Sequence, residues 1–186
     1  MRITKQVLVR RWALSTLAAA AVFAVLAWSD MRLKALSGYG TADLQNFSTA
    51  AQYRAAFLVW PSRYAVRAGF DWGLDYLLMP LYAAAFFYSG ILAREAFALR
   101  GSRLARILTT LAAVPIAGSL LDAVENALQL SMMLSGPTDQ LASIAFTVSS
   151  AKWMAVTVGF LLLAAALFAR VLERQRGQKK PLKAGP

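Results

Sequence analysis

The chain has 186 residues, 59% of them hydrophobic and 16% charged, with a mean hydropathy of +0.51. A soluble domain averages about 45–50% apolar and about 25% charged residues, so this composition belongs to a polytopic membrane protein, and the length allows one domain over 1–186. Cys and His are both absent, which excludes disulfides, thiol chemistry, Cys/His zinc sites, His-based triads and haem held by either residue.

No Gly-rich phosphate loop or dinucleotide fingerprint occurs, and no cofactor and no metal are expected. The net charge is +11. In a soluble protein that would suggest nucleic acid. Here most basic residues flank apolar runs, where the positive-inside rule puts them, and no nucleic-acid partner is expected.

Four runs reach the roughly 20 apolar residues that a spanning helix needs. They cover about 12–29, 72–93, 107–134 and 141–169, which predicts an all-α bundle of four transmembrane helices. The first run also has the parts of a signal peptide, with Arg10 and Arg11 before it and Val25-Leu26-Ala27 near its end; a retained anchor is the expectation. Between spans one and two lies a loop over 30–71. Thr41 or Asp43 is placed to cap a helix running toward Trp60, with Leu44, Phe47, Ala51, Ala55 and Leu58 on one apolar face and Pro61 as its stop. With Arg54, Arg63 and Arg67 alongside, the loop is expected to form an amphipathic lid on the membrane surface.

The N-terminal stretch, the link before span three and the tail over 170–186 carry 14 of the 20 Lys and Arg residues, among them Arg2, Arg100, Arg174, Arg176, Lys179, Lys180 and Lys183. The link over 135–140 carries none. Both termini are therefore expected in the cytoplasm of a bacterial cell, with the bundle in the inner membrane and anionic lipid at its basic cytoplasmic face.

Acids inside the third span are the main functional signal. Asp122, Glu125 and Asn126 share a helix face, and each acid at a bilayer centre costs about 2.5–3.5 kcal/mol on insertion scales. The helical rise gives their depth. Counted from the basic residue at the cytoplasmic end of each span, Asp30, Asp75, Glu125 and Lys152 all lie at about 27–28 Å, and Asp122 at about 24 Å. One polar layer near the outer leaflet results. Pro115, Gly118, Ser119 and Gln129 extend the polar face of span three, and Asp71, Asp75, Leu78, Tyr82 and Ser89 form a matching stripe on span two. On span four, Ser143, Thr147, Ala151, Ala155 and Gly159 make a small-residue ridge that favours helix packing. Trp28, Trp72, Tyr76 and Trp153 near the same level read as interfacial belt aromatics.

This layout resembles the four-helix EXPERA membrane proteins, the group of the sterol isomerase and the sigma-2 receptor. Shared features are an acid closing span one (Asp30), an acid followed by proline in span two (Asp75 and Pro80), a long first loop with a helix, and a basic tail. The lack of His departs from the isomerase pattern. The resemblance implies a lipophilic or cationic ligand between the helices.

The expected site is a polar chamber lined by Asp30, Asp75, Tyr82, Asp122, Glu125, Asn126 and Lys152, binding a small lipophilic or cationic molecule or a lipid. Three alternative functions also fit the sequence. One is a proton- or cation-coupled carrier, which would favour a homo-oligomer. Another is an intramembrane acid/base enzyme with Asp122 or Glu125 as the proton carrier. The last is a structural subunit that uses the ridge on span four.

Overall fold

Hydropathy and capping residues together set the helices. The computed structural model describes residues 4–98 and 101–178, without the side chains of 174 and 176–178, so Arg2, Arg100, Arg174, Arg176, Lys179, Lys180 and Lys183 lie wholly or by their side chains outside the described residues. Among the described residues six helices follow in order: α1 (Lys5–Ser37), α2 (Thr41–Leu44), α3 (Ala50–Leu58), α4 (Ser62–Phe97), α5 (Arg103–Ser135) and α6 (Asp139–Gln178). Helices α1, α4, α5 and α6 are each long and apolar enough to cross a membrane. The fold is all-α, and no strand occurs among the described residues.

The helices overshoot the apolar runs that reveal them. Helix α4 has 36 residues, or about 54 Å of length, against about 30 Å of hydrocarbon. Hydropathy marks the part that lies in lipid, whereas caps mark where the backbone stops. Thr4 accepts a hydrogen bond from the Val7 N–H at the start of α1. Gly38, with φ of 85°, ends that helix in a left-handed turn that disfavours any side chain. Pro61 opens α4 and Ser102 caps α5.

Helix α4 is the hub of the bundle, packing against α1, α5 and α6, while α5 and α6 also pack on each other. Glycines allow the close approaches. A Cβ on Gly90 would lie 2.5 Å from Ala112 Cβ and 3.0 Å from Ala112 Cα, and one on Gly118 would lie 2.9 Å from Ala155 Cβ. Helix α1 is an outrigger on α4. Trp12 donates its indole N–H to Ser89 across that contact, while Leu14, Leu17, Phe23 and Val25 face outward, as a lipid-facing surface requires.

The first loop forms a packed cap, with two departures from expectation. The expected single helix from Thr41 to Trp60 is two helices, because Thr49 and Gln52 form a capping box that starts α3 afresh. Its buried face also differs. Ala50, Tyr53 and Ala56 point inward with Leu44, whereas Ala51 and Ala55 are exposed and Leu58 is 87% exposed. The restart at Thr49 resets the helical phase, and the ring of Tyr53 takes the interior. Tyr53 packs with Leu33, Trp60, Trp72, Met132 and Ala145 in one apolar cluster that joins the cap to α1, α4, α5 and α6. Its hydroxyl donates to the Leu44 carbonyl at 3.0 Å. Burial, and secondarily the charge of Glu125, pushes this phenol's pKa up, so it stays a donor. Polar pins complete the cap: Asp139 accepts from the Ala50 N–H at 2.8 Å, and Trp153 donates to Gln45 at 2.8 Å.

The small-residue ridge on α6 is buried only at Ala155 and Gly159; Ser143, Thr147 and Ala151 are exposed. Steps of four overshoot a helical turn by about 40° each, so a strict four-residue ridge winds off the contact face. The buried line alternates threes and fours instead, through Ala142, Ala145, Ser149 and Lys152.

The glycine contacts make a direct test of the hub. Gly90→Ala should destabilise the protein by about 1–3 kcal/mol through overpacking against the Ala112 backbone. Gly69→Ala, where an added Cβ meets nothing within 4 Å, should be neutral or slightly stabilising through helix propensity. Thermal unfolding of the helical circular dichroism signal in detergent measures both.

Candidate functional site

A polar side chain inside a bilayer must find its partners within the protein, since lipid offers none. Helices α4, α5 and α6 meet this demand with a connected chain of polar groups and one adjoining pair, together a polar network. Lys152 of α6 is 3% exposed. Its ammonium lies 2.6 Å from Glu125 Oε2 and 3.0 Å from Asp122 Oδ1, both on α5. The two acids are three residues apart, so one helical turn presents both to the same cation.

Each acid has a further donor. Tyr82 of α4 donates its hydroxyl to Asp122 Oδ2 at 3.0 Å. Gln129 donates from Nε2 to Glu125 Oε1 at 2.8 Å, and Trp72 donates its indole N–H to Gln129 Oε1 at 3.0 Å. Beside this chain, Asn126 donates from Nδ2 to Asp75 Oδ2 at 2.8 Å. Glu125 is fully buried, Asn126 and Gln129 nearly so, while Asp75 and Tyr82 are half-buried. The network therefore has an enclosed base on α5 and α6 and a more open edge on α4.

Charge is the unusual part. Asp75, Asp122 and Glu125 bring three carboxyl groups into a region with one ammonium, which pairs with Asp122 and Glu125. No salt bridge reaches Asp75 among the described residues. No group of ligands suited to a metal ion was found among those residues either.

Six of the seven residues expected at the site fall together in space, all but Asp30. That carboxylate accepts from the Thr41 hydroxyl at 2.8 Å and from the Ala42 N–H at 3.1 Å, so it caps the start of α2. The common depth inferred from sequence is a coordinate along the membrane normal, and it carries no information on which helices touch. Helix α1 packs chiefly on α4, meets α6 near its start, and sends no charge into the network. Asp71, from the span-two stripe, is also separate: it is buried with neither carboxylate oxygen hydrogen-bonded, close to Arg67 and Ser29, which are themselves joined at 3.3 Å.

Trp72 belongs to the network and is buried, in place of the interfacial role expected of it. Its position one turn before Asp75, on the polar stripe of α4, is the signal that separates it from a belt aromatic. Trp28, Tyr76 and Trp153 do face outward. The Lys152 ammonium lies 5.5 Å from the Trp153 ring, and Trp28 has the guanidinium groups of Arg32 and Arg67 at 5.7 and 5.6 Å. Comparison of the chain with family models, with curated proteins and with solved structures gives no match.

The shared lysine has a measurable consequence. Lys152→Met leaves two buried acids without their cation and should destabilise the protein by about 3–5 kcal/mol. Adding Asp122→Asn and Glu125→Gln to that variant removes the stranded charge and should recover most of the loss. Thermal unfolding of the single and triple variants in one detergent reads the difference.

Proposed function

We propose that the protein is a membrane receptor site for a small lipophilic cation, whose positive group pairs with Asp75 at the open edge of the α4–α5–α6 network. One observation carries this reading: three carboxyl groups lie in a low-dielectric interior with a single ammonium, which pairs with only two of them. The base of the network is internally paired, since Asp122 and Glu125 hold Lys152 between them. Among the described residues, Asp75 has only the amide of Asn126 as a hydrogen-bond partner. A charge in that position favours a proton or a cationic group as its complement.

The surroundings fit an amphiphile. Asp75 and Tyr82 are partly exposed on α4, and the exposed ring of Tyr76, whose hydroxyl reaches the Ala123 carbonyl of α5, lies beside them. An ammonium entering from the lipid side would meet the carboxylate while its apolar part stayed among apolar side chains. Taking the basic helix ends as cytoplasmic, in a bacterial inner membrane, puts this edge toward the outer leaflet beneath the cap. The layout-level resemblance to the EXPERA proteins supports the same ligand class.

Dodecylamine and its neutral analogue dodecanol test the proposal. Dodecylamine, and not dodecanol, should raise the thermal unfolding temperature of the purified protein. Asp75→Asn should weaken dodecylamine binding by at least about tenfold, or about 1.4 kcal/mol, with little change in the unliganded unfolding temperature. Equal stabilisation by the alcohol, or an unaltered affinity in Asp75→Asn, would leave the network with the role of fixing helix register.

A further inference from the structure

At the opposite end of the bundle from the cap, a shallow open groove of about 420 Å³ lies along the start of α5, lined by Arg103, Arg106, Ile107, Thr110 and Leu111, of which all but Leu111 are exposed. Spacings of three and four put all five on one face of the helix. Neither arginine enters an ion pair among the described residues. The neighbouring Arg94 differs, being paired with Glu95 and donating to Thr109. The first turn of α5 contains no acid. Cations at the start of a helix lose a little against its dipole, so the two arginines are not explained by the helix's own stability.

The chemistry along the groove changes in a definite order. Two guanidinium groups come first, a hydroxyl follows about 6 Å further along the axis, and apolar Ile107 and Leu111 flank it. A phospholipid lying parallel to the helix has the same order: phosphate, ester, acyl chain. We propose that this groove binds one anionic phospholipid of the adjoining leaflet, with its phosphate between Arg103 and Arg106, an ester oxygen at Thr110 and an acyl chain along Ile107 and Leu111. Arginine suits the role because its planar fork can contact two phosphate oxygens at once. The inference is independent of the cation site at Asp75, since the two lie at opposite ends of the bundle and share no residue.

General attraction of a basic membrane face for acidic lipid is the competing explanation. It depends on charge, whereas binding at this one face of α5 depends on position. Native mass spectrometry of the full chain, released from micelles containing equal phosphatidylglycerol and phosphatidylcholine, distinguishes them. The wild type should retain a single phosphatidylglycerol. Arg103→Gln with Arg106→Gln should reduce its occupancy about tenfold. Arg10→Gln with Arg11→Gln, which removes the same charge from two exposed residues of α1, should leave occupancy unchanged.

Ile107→Ser with Leu111→Ser keeps both arginines and should also lose the lipid. Inorganic phosphate at millimolar concentration should not displace it. Equal losses from the two arginine pairs would overturn the proposal in favour of general attraction. Displacement by inorganic phosphate, or retention in the serine variant, would overturn the lipid assignment in favour of a phosphate site.

Discussion

The arrangement of this bundle depends on one ammonium shared between two carboxylates in a place where lipid offers no hydrogen bonds. Lys152 reaches both Asp122 and Glu125 only if α5 and α6 hold a fixed register, and Tyr82 reaches Asp122 only if α4 does so too. Apolar packing in a bilayer is weakly directional, because one leucine surface contacts lipid as well as another. Buried polar contacts discriminate among registers far more sharply, since a slip of one turn would strand a charge. The glycines then permit what the ion pairs require. Gly118 lets α5 approach α6 at Ala155, and Gly90 lets α4 approach α5 at Ala112.

The same constraint organises the end of the molecule near the cap. Trp72 is both a donor to Gln129 in the network and a member of the apolar cluster under the cap. Tyr53 seals that cluster from the loop side. The cap therefore continues the core, and it closes the network's enclosed end. The acid that sequence depth had grouped with the network, Asp30, instead holds α2 in place over α1. A carboxylate at the mouth of the bundle thus builds the cover, and the carboxylates deeper in build the site.

Local rules were the part of this architecture legible in the sequence. Twenty-residue apolar runs, Pro61 as a stop and the three-residue spacing of Asp122 and Glu125 each depend on a few neighbouring residues, and each is present in the structure. The choice of neighbours was not legible. Nothing in a single span states that α1 should pack chiefly on α4 and keep Asp30 for the cap, so a shared depth for Asp30 and Asp75 does not amount to shared space. The ridge on α6 failed for a related reason: a four-residue period imitates a helix face over two turns and leaves it over four. In the cap, Leu44 and Phe47 kept their inward positions, but the capping box at Thr49 reset the phase for everything after it. Trp72 was hidden by its type, because tryptophan near a bilayer edge usually marks the interface, and only its place on the Asp75 stripe argues otherwise.

In the proposed reading, the complement of the third acid is a cationic group that meets Asp75 at the partly exposed edge of α4. The most direct measurement is photo-crosslinking with a diazirine-bearing lipophilic amine, followed by peptide mapping. Labelling should concentrate on α4 and α5 around Asp75 and Tyr82, should be displaced by unlabelled amine, and should vanish in Asp75→Asn. Labelling spread over the outward face of α1, or identical labelling by the uncharged analogue, would contradict a cation site at this network.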